Sequence, residues 1–125
     1  MRLLKKLLGV DKPTVTVEAT EETLAELVTA RKLVLVDFWA TWCGPCTRFS
    51  PIFEDVAKSL ADDDTVGFVA VDIDQCPQAA AEYGIQSVPT VLAFVDGTPT
   101  AQMGPGSRAQ LEAFIAKLHG VAGVC

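Results

Sequence analysis

Hydrophobic and polar positions along this chain follow two periods, and the switches between them mark the elements. Val15 to Ala19, VTVEA, alternates with period two and reads as a short strand. Glu21 and Glu22 suit a helix N-terminus, so a helix is predicted to about Arg31 with Leu24, Leu27 and Val28 inward. Leu33–Trp39, LVLVDFW, is an apolar run with one acid inside it. That is the pattern of a central strand covered on both faces. A helix is predicted from Cys43 to about Leu60, bent at Pro51, whose missing N–H removes one ladder bond.

Val66–Ile73 reads as another buried strand, followed by a helix from about Gln78 to Tyr83 that Gly84 stops. Val88-Pro89-Thr90 leads into VLAFV, and Thr100–Met103 is its antiparallel partner. Asp96-Gly97 between them is a strong hairpin signal. Ser107 caps a last helix, Arg108 to about His119, with Leu111, Phe114, Ile115 and Leu118 on one face. The order β-α-β-α-β-α-β-β-α, without repeats, predicts an α/β domain with a central mixed five-stranded sheet and helices on both faces.

Residues 13–120 are expected to form that domain, between an N-terminal leader, 1–12, and a Gly-rich C-terminal tail, 121–125. In the leader, Leu3, Leu4, Leu7 and Leu8 fall on one helical face, with Arg2, Lys5 and Lys6 on the other. Residues 1–9 could therefore touch anionic lipid, but about two turns are too short for independent helicity. Packing against the domain or a neighbouring chain is the preferred reading.

Composition narrows the function. The chain has 125 residues, half of them hydrophobic, which suits one domain with one core. A net charge of −6 argues against nucleic acid and for a monomer kept apart by self-repulsion. The leader lacks the apolar stretch and cleavage site of a secretory signal, so a reducing cytoplasm is the expected compartment for the four cysteines. There a CxxC pair is catalytic or metal-binding rather than a permanent staple.

Trp39 to Cys46 reads WATWCGPC. Cys43 follows a buried strand and opens a helix, where unpaired N–H groups and the helix dipole favour a thiolate. Cys46, one turn on and shielded, is placed to resolve a mixed disulfide. Pro45 in the first turn costs little, because its N–H would be unpaired anyway. Zinc would need Cys43 and Cys46 plus two ligands from Cys76, His119 and Cys125, which are scattered; no metal is expected. Cys76 is either a small semi-buried residue or, like Cys125 on the tail, a candidate regulatory thiol.

From about Val15 to His119 the sequence resembles the thioredoxin family, through VDFWATWCGPC, Pro51, DIDQ, YGIQSVPT and FVDG. The resemblance implies the thioredoxin fold and a protein-disulfide reductase, with Cys43 attacking and Cys46 resolving. It implies no cofactor beyond a redox-active Cys43–Cys46 disulfide, and as partners a thioredoxin reductase and disulfide-bearing client proteins. It implies a cis Pro89, with Val88 offering its backbone to an extended client strand. Trp42, Gly44, Pro45, Val88, Pro89 and Gly104 would form a flat apolar patch. An oxidase or isomerase, and a non-enzymatic docking module, are the alternatives.

Asp37 sits inside LVLVDFW, where desolvation raises a carboxyl's pKa toward neutrality. There it can take the proton of Cys46. A lysine that commonly partners this acid in the bacterial family would fall at Ala70, and a basic residue often found after the second cysteine is here Thr47. Without the lysine, Asp37 is expected to titrate higher than in lysine-bearing relatives.

Overall fold

Strand β2 is where hydrophobic pattern and structure meet most directly. In the computed structural model, which describes residues 15–122, Leu33–Trp39 forms the middle strand of a five-stranded sheet. The elements are β1 (Val17–Glu18), α1 (Leu24–Leu27), β2 (Leu33–Trp39), α2 (Gly44–Ser59), β3 (Val66–Asp72), α3 (Pro77–Glu82), β4 (Thr90–Val95), β5 (Thr98–Met103) and α4 (Arg108–Ala122). The strands lie in the order β1-β3-β2-β4-β5. β1, β3 and β2 run parallel, while β4 is antiparallel to both β2 and β5. The expected mixed sheet and element order are observed; the leader, 1–12, and Cys125 lie outside the described residues.

Successive side chains of a strand point to opposite faces, and β2 sorts its residues accordingly. Leu33 and Leu35 pack with Phe49, Phe53 and Val56 of α2 and with Leu111, Ile115 and Leu118 of α4. Val34, Val36 and Phe38 pack on the other side with Leu24, Val28 and Ala79. Each fully buried side chain of this kind contributes about 1.5–3 kcal/mol relative to exposure. Position 37 shares the parity of 33 and 35, so the strand's one acid faces α2, the helix that opens with the CxxC.

Element bounds differ from expectation at β1, which is Val17–Glu18 rather than Val15–Ala19, at β5, which begins at Thr98 rather than Thr100, and most at two helices. The helix predicted to Arg31 is only Leu24–Leu27. Thr20 and Thr23 cap each other: the Thr20 N–H donates to Thr23 Oγ1 at 2.8 Å, and the Thr23 N–H to Thr20 Oγ1 at 3.2 Å. At the other end Thr29 Oγ1 donates to the Glu26 carbonyl at 2.9 Å, a local bond that competes with further helix. Conversely, α4 continues to Ala122, past the expected domain end at 120, with a reciprocal Ser107–Gln110 cap at its start. The hairpin turn has φ of 50° at Asp96 and 81° at Gly97, as its sequence requires.

Candidate active site

The carboxyl end of β2 delivers the chain through Ala40–Trp42 to Cys43, which is the N-cap of α2. Its backbone is extended, with φ −90° and ψ 110°, as an N-cap needs. Its sulfur takes the role usually played by a serine or aspartate oxygen: the Cys46 N–H donates to Cys43 Sγ at 3.1 Å. The two sulfurs are joined as a disulfide, with Cα atoms 5.3 Å apart. In the dithiol form the same N–H and the positive end of a 16-residue helix act on a Cys43 thiolate. Pro45 stands in the first turn, where it leaves no donor missing.

The cysteines pack with Ala40 and are flanked by Trp39, Ile73 and Val88. Cys43 is 5% exposed and Cys46 3%, so both residues are buried. The Val88–Pro89 bond is cis, and the Val88 carbonyl oxygen lies 3.5 Å from Cys43 Sγ. Trp42 is 68% exposed, a large apolar surface beside the disulfide, and Gly44 and Pro45 are exposed next to it. Val88 is half-buried and Pro89 buried, so the proline lies beneath the expected patch rather than in it; Gly104 is exposed just after β5.

Trp42 is held by a contact that the sequence reading missed. Its Nε1–H donates to Asp74 Oδ2 at 3.0 Å, and the Asp74 N–H donates to Asp72 Oδ1 at 2.9 Å. A signal was present in DIDQ, an acid in the turn just after the strand that pairs Asp72 with Trp39.

Asp37 is 2% exposed, and among the described residues its Oδ1 has no hydrogen-bond partner. Burial, and then the charge of Glu18, push its pKa from 3.8 to about 7. It lines a cavity of about 490 Å³ shared with Glu18, Ser50, Glu54 and Ala70. Ser50 and Glu54 follow Cys46 at helical spacing, so the face of α2 that carries the second cysteine covers the acid.

Of the two readings open for Cys76, its burial fits the small core residue rather than the regulatory thiol. It is 1% exposed, packed among Val69, Val71 and Ala79 on the other face of the sheet. Burial, reinforced by Glu21, Asp72, Glu18 and Glu22, pushes its thiol up, the reverse of what activates a cysteine. His119 sits 3.8 Å from Asp63, away from the disulfide. Among the described residues, no group of three His, Cys, Asp or Glu could hold a metal ion.

A redox-active cysteine pair at a helix start, above a buried acid and beside a cis proline, defines a thiol–disulfide oxidoreductase. Comparison with known proteins narrows the class. The family model described as Thioredoxin matches residues 15–117. A thioredoxin of Alicyclobacillus acidocaldarius is 38% identical over 102 residues, 81% of this chain and 95% of its own length. One of Mycolicibacterium smegmatis is 39% identical over 89 residues, 70% and 80% of the two chains. The bifunctional thioredoxin reductase/thioredoxin of Mycobacterium leprae is 39% identical over 71% of this chain and 19% of its own. The solved Malassezia sympodialis thioredoxin (Mala s 13) superposes with a TM-score of 0.74 at 34% identity, covering 86% of this chain and 94% of that one. The chain belongs to the thioredoxin family, and its chemistry is the reduction of protein disulfides through Cys43 and Cys46.

Proposed function

We propose that Cys43 attacks, Cys46 resolves and Asp37 takes the resolving thiol's proton. The Cys43 thiolate bonds to one sulfur of a client disulfide, and the other client sulfur leaves with the bonding pair. Cys46 then gives its proton to Asp37 and attacks Cys43 Sγ, releasing the second client sulfur as a thiolate. The client is reduced and Cys43–Cys46 is oxidised. The observation that carries this reading is the Cys46 N–H aimed at Cys43 Sγ from the first turn of α2, which stabilises charge on that sulfur alone. The exposed Trp42 and the half-buried Val88 suit an extended, apolar client segment, with Gly44, Pro45 and Gly104 at its margins.

The recharging partner in this reading is a thioredoxin reductase, a pairing that the fused Mycobacterium leprae protein supports by its name. Residues 13–120 carry the activity, as a monomer in the cytoplasm. The net charge of −6 supports the monomer. Insulin reduction by dithiothreitol tests the assignment. Cys43→Ser is expected to abolish turnover and client capture. Cys46→Ser is expected to abolish turnover while trapping the client as a mixed disulfide. A Cys43→Ser variant that still captures clients covalently would refute the order of attack.

A further inference from the structure

Strand register places a second acid beside Asp37. Glu18 of β1 pairs with Ala70 of β3, and Asp37 of β2 pairs with the same Ala70. Residues in one row across neighbouring strands put their side chains on one face, so the row reads carboxyl, methyl, carboxyl. Ala70 is too short to fill the space between them, and the cavity above it is lined by both acids and by Thr16 and Ser50. Among the described residues, the buried Asp37 Oδ1 at this cavity has no hydrogen-bond partner. Glu18 is itself exposed to solvent and held by Trp39, whose Nε1–H donates to Glu18 Oε2 at 3.2 Å.

We propose that Glu18 is a positioning residue for the resolving step: across the gap over Ala70 it strengthens Asp37 as a proton acceptor and gives the proton its way to solvent. The inference rests on the reading of Asp37 as the base for Cys46. In that step the Cys46 proton passes to the Asp37 carboxylate, and the electron pair left on Cys46 Sγ forms the bond to Cys43. The client sulfur leaves as a thiolate. Asp37 then sheds its proton through the cavity toward Glu18 and bulk water, and returns as a carboxylate.

Among the described residues, Glu18 is the charge that bears on Asp37. Glu54, on α2, accepts from the Val15 and Thr16 N–H groups at 2.9 and 3.1 Å, and its nearby cation is Lys58. Burial opposes ionisation of Glu54, but the Thr16 side chain, the Val15 and Thr16 N–H groups and Lys58 together outweigh it and hold the carboxyl low. Asp72, on β3, acts on Glu18. From β4 the residue opposite Asp37 is Val91, which carries no charge. Burial raises Glu18, its bond to Trp39 lowers it, and Asp72 rather than Asp37 adds the opposing charge. Asp37, by contrast, is raised by burial and by Glu18.

The test is Glu18→Gln in the full chain, which keeps an oxygen for Trp39 Nε1 and removes the charge. Two readouts are taken: carbon-detected NMR titration of Asp37 in the oxidised protein, and the pH profile of single-turnover insulin reduction by the dithiol. The two strand spacings between the acids are about 10 Å, and after screening at the exposed Glu18 the Asp37 titration should fall by about half to one pH unit. The inflection of the rate profile should fall with it. Ala70→Lys, which brings a cation to the same gap, should lower both further and shows that the readouts respond to charge there; Glu18→Ala serves if Glu18→Gln folds poorly. An Asp37 titration unmoved by removal of the Glu18 charge overturns the proposal alone. A titration that moves while the rate profile stays fixed overturns the reading of Asp37 as the base, and the proposal with it.

Discussion

Asp37→Asn should stabilise the protein at alkaline pH by an amount that vanishes in acid. Folded Asp37 titrates at about 7, raised from 3.8 by burial and by Glu18. It therefore holds its proton more tightly in the folded chain than in the unfolded one. Its contribution to stability is fully present below 3.8 and is lost as pH rises through about 7. At about 1.4 kcal/mol per pH unit, the loss above pH 7 comes to about 4 kcal/mol. That is a large part of the ~5–15 kcal/mol that holds a typical domain together. Asparagine has the same shape and no charge to desolvate, so its stability should not fall in this window. Glu54 and Asp63 are common to both proteins and cancel in the difference. The assay is urea unfolding of the oxidised proteins from pH 4 to 9, reading the variant's advantage at each pH. An advantage that is equal at pH 4.5 and pH 8.5 would refute a buried, elevated Asp37.

Two further predictions concern the frame. Gly97→Ala meets both a φ of 81° and a methyl group, since its Cβ would lie 2.9 Å from Thr29 Cγ2. It should cost about 1–3 kcal/mol, read as a lowered urea midpoint, without changing insulin reduction at low denaturant. Glu54→Ala removes the acceptor of the Val15 and Thr16 N–H groups and should cost about 1–3 kcal/mol at neutral pH. Because hydrogen bonds hold Glu54 below its ordinary 4.5, its contribution is present above that pH and fades as pH falls through the lower folded value. A Glu54→Ala penalty that grew in acid would contradict this.

What the sequence showed and what it hid divide along physical lines. LVLVDFW marked β2 to the residue, because a strand buried on both faces can hold only apolar side chains, and the one exception stood out for that reason. Asp96-Gly97 marked its turn because few residues take positive φ. The first helix was overextended, because the Thr20–Thr23 cap and the Thr29 bond act through side chains that periodicity does not weigh. Cys76 was open to two readings, and its burial on the far face of the sheet, which the sequence pattern does not show, favours the core residue. The pairing of Trp42 with Asp74 and the row Glu18–Ala70–Asp37 needed the tertiary fold, which brings together residues 32 and 19 positions apart.

Everything mechanistic depends on a sulfur anion at Cys43. Alkylation of the fully reduced protein by iodoacetamide, followed by peptide mapping across pH 5 to 10, reads that anion directly. Modification of Cys43 should show an inflection well below the ~8.5 of a free thiol, with Cys46 protected throughout the neutral range. A Cys43 that reacts only above that value, or a Cys46 that is modified first, would contradict the account.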